Sequence, residues 1–249
     1  MSKVCNVHYF IAFLRNRWLR YRLKSTALAP VAQINLDALT HVKLTDQAQS
    51  CRYVVVDLET TGFDLKHDRV VSIGAFRVVE GRIRLGDTFC ELVNPNRNIP
   101  ASSIKIHGIV PDMVADARPF GDVFDDFLEY LGVDIVVAHH ASFDMQFLNR
   151  VMRAKYGFEL QNLILDTVPM CREILFKPGI RYPFGIDLDS RQYSLDKVAK
   201  VLGIDIPMRH SALGDSLATA MIFQRVLSRL VKKGGGLLRD LVKAACVLQ

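Results

Sequence analysis

Residues 54–62 have the sequence VVVDLETTG, and this stretch decides the fold prediction for the chain. Three β-branched apolar residues predict a buried strand, and two carboxylates, Asp57 and Glu59, follow at its end. Residues two apart on an extended backbone point to the same face, so both side chains should lie together. Such carboxylates repel each other unless a cation lies between them, and hard divalent ions favour oxygen ligands. The alternative is an exposed strand end with two solvated acids.

The pattern that follows residue 51 predicts an α/β domain. Strand-like runs are joined at Glu80-Gly81, which signals a hairpin. Three strands in a row, followed by strands that alternate with helices, predict a mixed sheet flanked by helices. The first predicted strand is the apolar run 54–56, and the others span 69–79, 82–93, 134–138 and 162–166. The main predicted helices span 124–131, 143–151, 193–202 and 212–230.

Composition limits the class of protein. The chain has 249 residues, of which 50% are hydrophobic, so it can bury a sizeable core. Its five cysteines are scattered and form no CxxC pair, which argues against a disulfide framework and a zinc site. This cysteine usage fits a reducing compartment, and we expect a cytoplasmic protein. No apolar segment is long enough to predict a transmembrane helix.

The formal net charge of +6 is concentrated in an N-terminal arm. Six Lys and Arg residues precede the first acid, Asp37, while the other 26 Lys and Arg balance the 26 Asp and Glu of the chain. The arm contains a predicted helix over 9–24 with an apolar stripe, flanked by arginines. This helix either packs on the main domain with its arginines in water or contacts phosphates or an anionic membrane surface. The stripe consists of Ile11, Leu14, Trp18 and Tyr21.

The ends of the chain are predicted to lie outside the main domain. We divide the sequence into an N-terminal extension with a linker and one short helix (1–50), a central domain (51–231) and a C-terminal tail (232–249). The glycines at 234–236 separate the tail from the preceding helix, and the tail has an amphipathic pattern. It either folds back on the domain or docks a partner.

Two further segments repeat the arrangement of an acid at the end of an element. In 137–144, VAHHASFD, Asp144 follows a buried strand, and in 210–215, HSALGD, His210 precedes a helix with Asp215 in its first turn. Ligands of open α/β sheets gather at the carboxyl ends of strands. Convergence of four carboxylates and a histidine there would suit two divalent ions about 3.5–4 Å apart. The alternative is that the acids cap their helices and the histidine is a satisfied buried residue.

These three segments resemble the exonuclease motifs of the DEDDh 3′→5′ exonucleases. The greatest similarity is to the DnaQ-like family, which includes the proofreading epsilon subunit of bacterial DNA polymerase III. The resemblance covers residues 51–230, and the segment 106–109, IHGI, matches one that the family places beside the terminal nucleotide. His210, rather than a tyrosine, indicates the histidine branch. His140 is a departure, because many members carry asparagine there.

The resemblance implies a ribonuclease H-like fold, with a five-stranded mixed sheet between helices, and a two-metal mechanism. Asp57 would bridge two Mg²⁺ or Mn²⁺ ions, Glu59 and Asp215 would complete the first site, and Asp144 would hold the second. His210 would take the proton of the attacking water. The resemblance also implies a set of residues that bind the terminal nucleotide: Leu58, Thr60, Phe63, His107 and Phe143.

The function expected from this resemblance is hydrolysis of single-stranded nucleic acid from its 3′ end, with release of nucleoside monophosphates. DNA is favoured as the substrate, in proofreading or repair, and a DNA polymerase is the candidate partner. One alternative is a 3′→5′ exoribonuclease that acts on short RNA. A second alternative is a non-catalytic nucleic-acid-binding module on the same fold.

Overall fold

A five-stranded sheet forms the centre of the computed structural model, which describes residues 2–176, 193–206, 208–232 and 234–245. The spatial order of the strands is β3-β2-β1-β4-β5. β2 is antiparallel to β1 and β3, whereas β4 runs parallel to β1 and β5 parallel to β4. The predicted mixed five-stranded sheet is therefore confirmed. The strands are β1 (Arg52–Thr60), β2 (Val70–Val79), β3 (Arg82–Leu92), β4 (Ile135–Ala138) and β5 (Ile164–Asp166).

The turn between β2 and β3 is the predicted two-residue hairpin. Glu80 and Gly81 both have positive φ angles, 53° and 68°. A two-residue turn with positive φ at both positions has the twist that antiparallel strands need, and glycine adopts this conformation without steric cost.

Helices cover both faces of the sheet. They are α1 (Ser2–Arg22), α2 (Pro30–Asp37), α3 (Ala101–His107), α4 (Pro111–Val114), α5 (Phe120–Leu131), α6 (Ala141–Tyr156), α7 (Thr167–Met170), α8 (Leu195–Leu202), α9 (Ala212–Lys232) and α10 (Leu238–Ala245). The helices predicted inside the domain are all present, with ends that differ by a few residues. The segment 177–191, whose two prolines and two glycines predict a loop, lies outside the described residues.

The two faces of β1 belong to two apolar cores, because both faces of the strand are covered by helices. Tyr53 and Val55 pack in a core with side chains of α8, α9 and α10. Val54 and Val56 pack in the other core, with the phenylalanines of α5 and α6. This double burial explains why the strand has a continuous apolar run instead of an alternating pattern.

The N-terminal helix is present and packs on the domain, but its apolar stripe is not the face that makes the contact. Trp18 is 59% exposed and Tyr21 is 80% exposed, and the rest of the predicted stripe is exposed as well. The helix instead turns Ala12 and Asn16 toward the domain. Nδ2 of Asn16 donates hydrogen bonds to the Leu36 carbonyl at 2.9 Å and to Gln161 Oε1 at 2.8 Å. Tyr9 and Leu19, on the same side of the helix, pack against the two apolar cores.

The C-terminal helix folds back on the domain. Leu238, Leu241 and Val242 are buried in the core that also contains Tyr53, and α10 contacts α1 and α7. The division of the chain at residues 50 and 231 stays a prediction, but all three segments contribute side chains to this core. Among the described residues, no helix combines the length and the apolar character that crossing a bilayer requires.

Candidate active site

Three carboxylates meet at the carboxyl end of β1. Asp57 and Glu59 come from the strand and Asp215 from the first turn of α9. One ligand oxygen from each lies within 4.8 Å of the others. The same-face arrangement expected from the spacing of two residues therefore occurs, and the third acid joins it from a distant part of the sequence.

A glycine in β2 allows α9 to bring Asp215 to this place. Gly74 pairs with Asp57 across the two strands. A Cβ atom on Gly74 would lie 2.3 Å from the carbonyl carbon of Ala212 and 2.4 Å from the nitrogen of Leu213. Both contacts are with backbone atoms at the start of α9, so only glycine permits the observed approach of helix to strand.

Asp144 lies beside the three acids, in the first turn of α6. Its Oδ1 accepts a hydrogen bond of 3.2 Å from the backbone N–H of Leu58, the residue between Asp57 and Glu59. This bond connects α6 to the end of β1 and fixes the fourth carboxylate next to the cluster. The structure thus brings together all four acids that the sequence singled out.

Burial and mutual repulsion raise the pKa values of these acids. Burial is the main cause for Asp57, whose pKa lies well above its usual range, and the charges of Asp144 and Asp215 add to it. Burial, followed by the charge of Asp215, raises the pKa of Glu59 to about 7. Burial also raises the pKa of Asp144. A cation bound among the carboxylates would offset this repulsion, and an all-oxygen ligand set suits a divalent ion.

Arg209 is a residue of the site that the sequence interpretation missed. Its guanidinium donates to Asp215 Oδ2 and also pairs with Asp196 in the first turn of α8. Burial raises the pKa of Asp215, and the charge of Arg209 acts in the opposite direction. The one sequence signal for Arg209 was its position directly before His210. A single arginine beside a motif does not predict an ion pair with an acid of that motif.

His210 lies at the entrance of α9, where its side chain is exposed. Its backbone has a φ of 61°, in the left-handed region that few residues other than glycine adopt. The N–H of His210 donates to Asp215 Oδ1 at 3.3 Å. This bond couples the backbone of the histidine to one carboxylate of the cluster.

Asp166, at the end of β5, is a second residue that the sequence interpretation missed. Its carboxylate accepts hydrogen bonds from the N–H groups of His140 and Ala141, at 3.2 and 3.1 Å. His140 has a φ of 59°, a conformation in which asparagine and histidine are both enriched. The family's asparagine and this chain's histidine therefore suit the same turn. Asp166 holds the turn from which α6 starts, one turn before Asp144.

The five residues implied in nucleotide binding differ in accessibility. Phe63 is 81% exposed and its ring lies 5.6 Å from that of Phe143, so the two make an aromatic surface. Leu58 and Thr60 are mostly buried, with 6% and 9% exposure. Nδ1 of His107 accepts a hydrogen bond from Ile109 N–H, and Nε2 has no partner among the described residues.

Comparisons with known proteins agree with the fold and the site. The family model described as Exonuclease (RNase_T) matches residues 54–223. A DNA polymerase III subunit epsilon-like protein of Rhodobacter capsulatus is 40% identical over 73% of this chain, which covers 24% of that protein. The DNA polymerase III subunit epsilon of Aquifex aeolicus is 32% identical over 78% of this chain and 89% of its own length. The chain spans a quarter or less of the length of the first relatives that it matches.

Solved structures give the same result. Exonuclease X in complex with 5′ overhanging duplex DNA is 26% identical, with a TM-score of 0.57 over 76% of this chain and 99% of that one. Escherichia coli exonuclease I in complex with a dT13 oligonucleotide shares the fold, with a TM-score of 0.61 over 74% of this chain and 42% of that one at 18% identity. The resemblance inferred from the three sequence motifs is confirmed, and this chain belongs to the exonuclease family.

Proposed function

We propose that the chain is a metal-dependent 3′→5′ exonuclease that hydrolyses single-stranded DNA and releases nucleoside monophosphates. The observation that carries the proposal is the cluster of Asp57, Glu59 and Asp215, with Asp144 fixed beside it by the Leu58 N–H. Four carboxylates with raised pKa values have little structural use at the end of a buried strand. They are suited to metal-assisted hydrolysis of a phosphodiester.

The proposed cofactors are two divalent ions, Mg²⁺ or Mn²⁺. Asp57, Glu59 and Asp215 would hold one, and Asp57 with Asp144 would hold the other. Bound ions of this kind lower the pKa of water and stabilise the charge that develops on phosphorus and on the leaving 3′ oxygen. The remaining chemistry belongs to the protein side chains.

His210 is the proposed general base. It is exposed to solvent at the entrance of α9, and its backbone N–H bond to Asp215 ties its position to the acids. An imidazole is suited to this role because its usual pKa, about 6.5, allows it to accept a proton near neutral pH. In this assignment the ring removes the proton of the attacking water.

The terminal nucleotide is proposed to bind between the aromatic surface and His107. Phe63 and Phe143 offer ring faces on which any base can stack, which predicts low base specificity. His107, whose Nδ1 accepts a hydrogen bond from Ile109 N–H, would lie beside the nucleotide. Leu58 and Thr60 would line the site of the terminal nucleotide.

We also propose a role in proofreading or repair in the cytoplasm, with a DNA polymerase as partner. The names of the polymerase III relatives support this role. Association of the full-length chain with the polymerase, measured by co-purification, would support the partnership. Absence of association would indicate a nuclease that acts alone.

The decisive experiment follows 3′- and 5′-labelled single strands of DNA and RNA over time on a gel. We expect the DNA ladder to shorten from the 3′ end with Mn²⁺ and to stay intact with EDTA or with Asp57→Asn. Glu129→Gln, an exposed carboxylate on α5, is the matched control and should cleave like the wild type. Faster cleavage of RNA would make the chain an exoribonuclease, and cleavage of neither polymer would contradict the proposed activity.

A further inference from the structure

The outer face of α1 is a large apolar surface that nothing in the described part of the chain covers. Phe10 and Trp18 are each 59% exposed, Leu14 is 46% exposed and Tyr21 is 80% exposed. These residues lie at i, i+4, i+8 and i+11, so they form one continuous face of the helix. The opposite face, which contains Ala12, is the one that packs on the domain. We name the four exposed residues the outer face.

The charged side chains of α1 itself are all positive, and one of them, Arg20, is already paired with Asp37 of α2. Arg15 and Arg17 are exposed and form no ion pair with any described residue. The guanidinium of Arg22 lies 4.8 Å from the centre of the Trp18 ring, beside the apolar surface. The sequence contains no acid before Asp37. A partner for this surface must therefore combine an apolar layer with negative charge.

We infer that α1 is a docking surface for an anionic lipid bilayer. An amphipathic helix that lies in the plane of the interface buries aromatic and aliphatic side chains among the acyl chains, and its arginines extend to the lipid phosphates. Tryptophan and tyrosine are favoured at that depth, because their rings are apolar and their N–H and O–H groups remain hydrated. The outer face and its arginines meet these requirements.

A second copy of the chain fits the same surface less well. Pairing two outer faces would bring Arg15, Arg17 and Arg22 of one copy close to those of the other. No acid within the first 36 residues could offset that repulsion. The charge distribution therefore favours an anionic layer over self-association.

The position of α1 leaves the acid cluster free to act while the helix is bound. Asn16 of α1 contacts Gln161, which follows α6 closely, whereas Asp144 lies in the first turn of α6. The 16 residues of α6 span about 24 Å at 1.5 Å per residue, so the two sites lie at opposite ends of this helix. A bilayer against α1 would therefore contact the protein away from the acid cluster. The same distance argues against a role of α1 in binding a nucleic-acid strand that enters the active site.

Trp18 supplies a direct test, because it is the only tryptophan of the chain. The full-length protein is mixed with vesicles of phosphatidylcholine alone or with phosphatidylglycerol added. We expect co-sedimentation with the anionic vesicles, a blue shift of the Trp18 emission and quenching by brominated acyl chains. Binding to the neutral vesicles should be at least about tenfold weaker, and added salt should weaken binding to the anionic ones.

Two pairs of variants locate the binding surface. Phe10→Ser with Leu14→Ser should reduce binding about tenfold or more, while Leu85→Ser, at a site 69% exposed on β3, should bind like the wild type. Arg15→Glu with Arg17→Glu should abolish the preference for anionic lipid. Arg82→Glu with Arg84→Glu, which changes two exposed arginines of β3, is the matched control. Far-UV circular dichroism and thermal melting verify that each variant is folded.

Three outcomes would overturn the inference. The first is no binding to anionic vesicles, or equal binding to both vesicle types. The second is equal binding by the Phe10→Ser, Leu14→Ser variant, which would place the contact elsewhere. The third is a Trp18 blue shift that depends on protein concentration without lipid, or that appears with single-stranded DNA instead. This last result would assign the face to a second copy or to nucleic acid.

Discussion

Glu59 shows how a single carboxylate can destabilise the fold while it serves a site. Burial raises its pKa to about 7, so in the folded protein it holds its proton at a pH where the unfolded chain has lost it. The group therefore reduces stability as the pH rises from about 4.5 to about 7, and its full cost is present above that window. A site that needs charged ligands is built here at the expense of stability.

We therefore expect Glu59→Gln to be more stable than the wild type at pH 8 in EDTA. A shift from 4.5 to about 7 corresponds to roughly 3.5 kcal/mol at most, since one pKa unit is about 1.4 kcal/mol. The difference should vanish near pH 4.5. Urea unfolding across this range measures the difference, and Glu129→Gln, at an exposed site on α5, is the control. An equal gain at pH 4.5 and 8 would show that ionisation of Glu59 in its buried site is not the cause.

His210→Gln separates the proposed base from the metal ligands. Glutamine keeps a polar side chain at the entrance of α9 but cannot take a proton, so kcat should fall about 10²- to 10⁴-fold. The affinity for Mn²⁺ should change little, because in the proposed assignment the carboxylates hold the ions. Rates from the labelled-strand assay and Mn²⁺ titration of the same preparation check both parts. A large loss of Mn²⁺ affinity would instead make His210 a ligand.

The approach of α9 to β2 is the packing contact on which Asp215 depends. Gly74→Ala would place a methyl group within 2.5 Å of backbone atoms of Ala212 and Leu213, so the start of α9 must move. We expect Mn²⁺ affinity to fall about 10- to 100-fold, as when a metal ligand loses its support. Gly86→Ala on β3, where an added Cβ has nothing within 4 Å, is the control. Titration with Mn²⁺ measures both variants, and an unchanged affinity for Gly74→Ala would contradict this account.

Elements with strong patterns were predictable from sequence, and the contacts between them were less so. The run of β-branched residues located β1, and the Glu80-Gly81 pair located the hairpin within a residue or two of its observed ends. The stripe on α1 predicted a helix correctly, but the stripe is exposed and the helix contacts the domain through other residues, among them the hydrogen-bonded Asn16. The ion pair of Arg209 with Asp215 joins a loop to a helix, and no local pattern predicts such a pair.

The two ends of the chain meet in one core, although the sequence suggested separable extensions. Leu241 of α10 is fully buried, in the same core as Ala12 of α1 and Tyr53 of β1. Asp240 caps the start of α10 by accepting from the N–H of Leu237 at 3.2 Å. The apolar face of α10 is thus occupied within the chain. A polymerase that docked on the tail would have to use its exposed polar side.

Leu241→Ala tests whether the C-terminal helix is part of the fold or an appendage. Truncation of a fully buried leucine removes apolar contacts and leaves a cavity, so the free energy of unfolding should fall by about 2–5 kcal/mol. Leu85→Ala, at a site 69% exposed on β3, should change it by less than about 0.5 kcal/mol. Urea unfolding followed by circular dichroism measures both variants. If α10 belongs to the core, each variant should unfold in a single global transition. An appendage would give a Leu241→Ala midpoint equal to that of the wild type, because its local loosening would not affect the sheet.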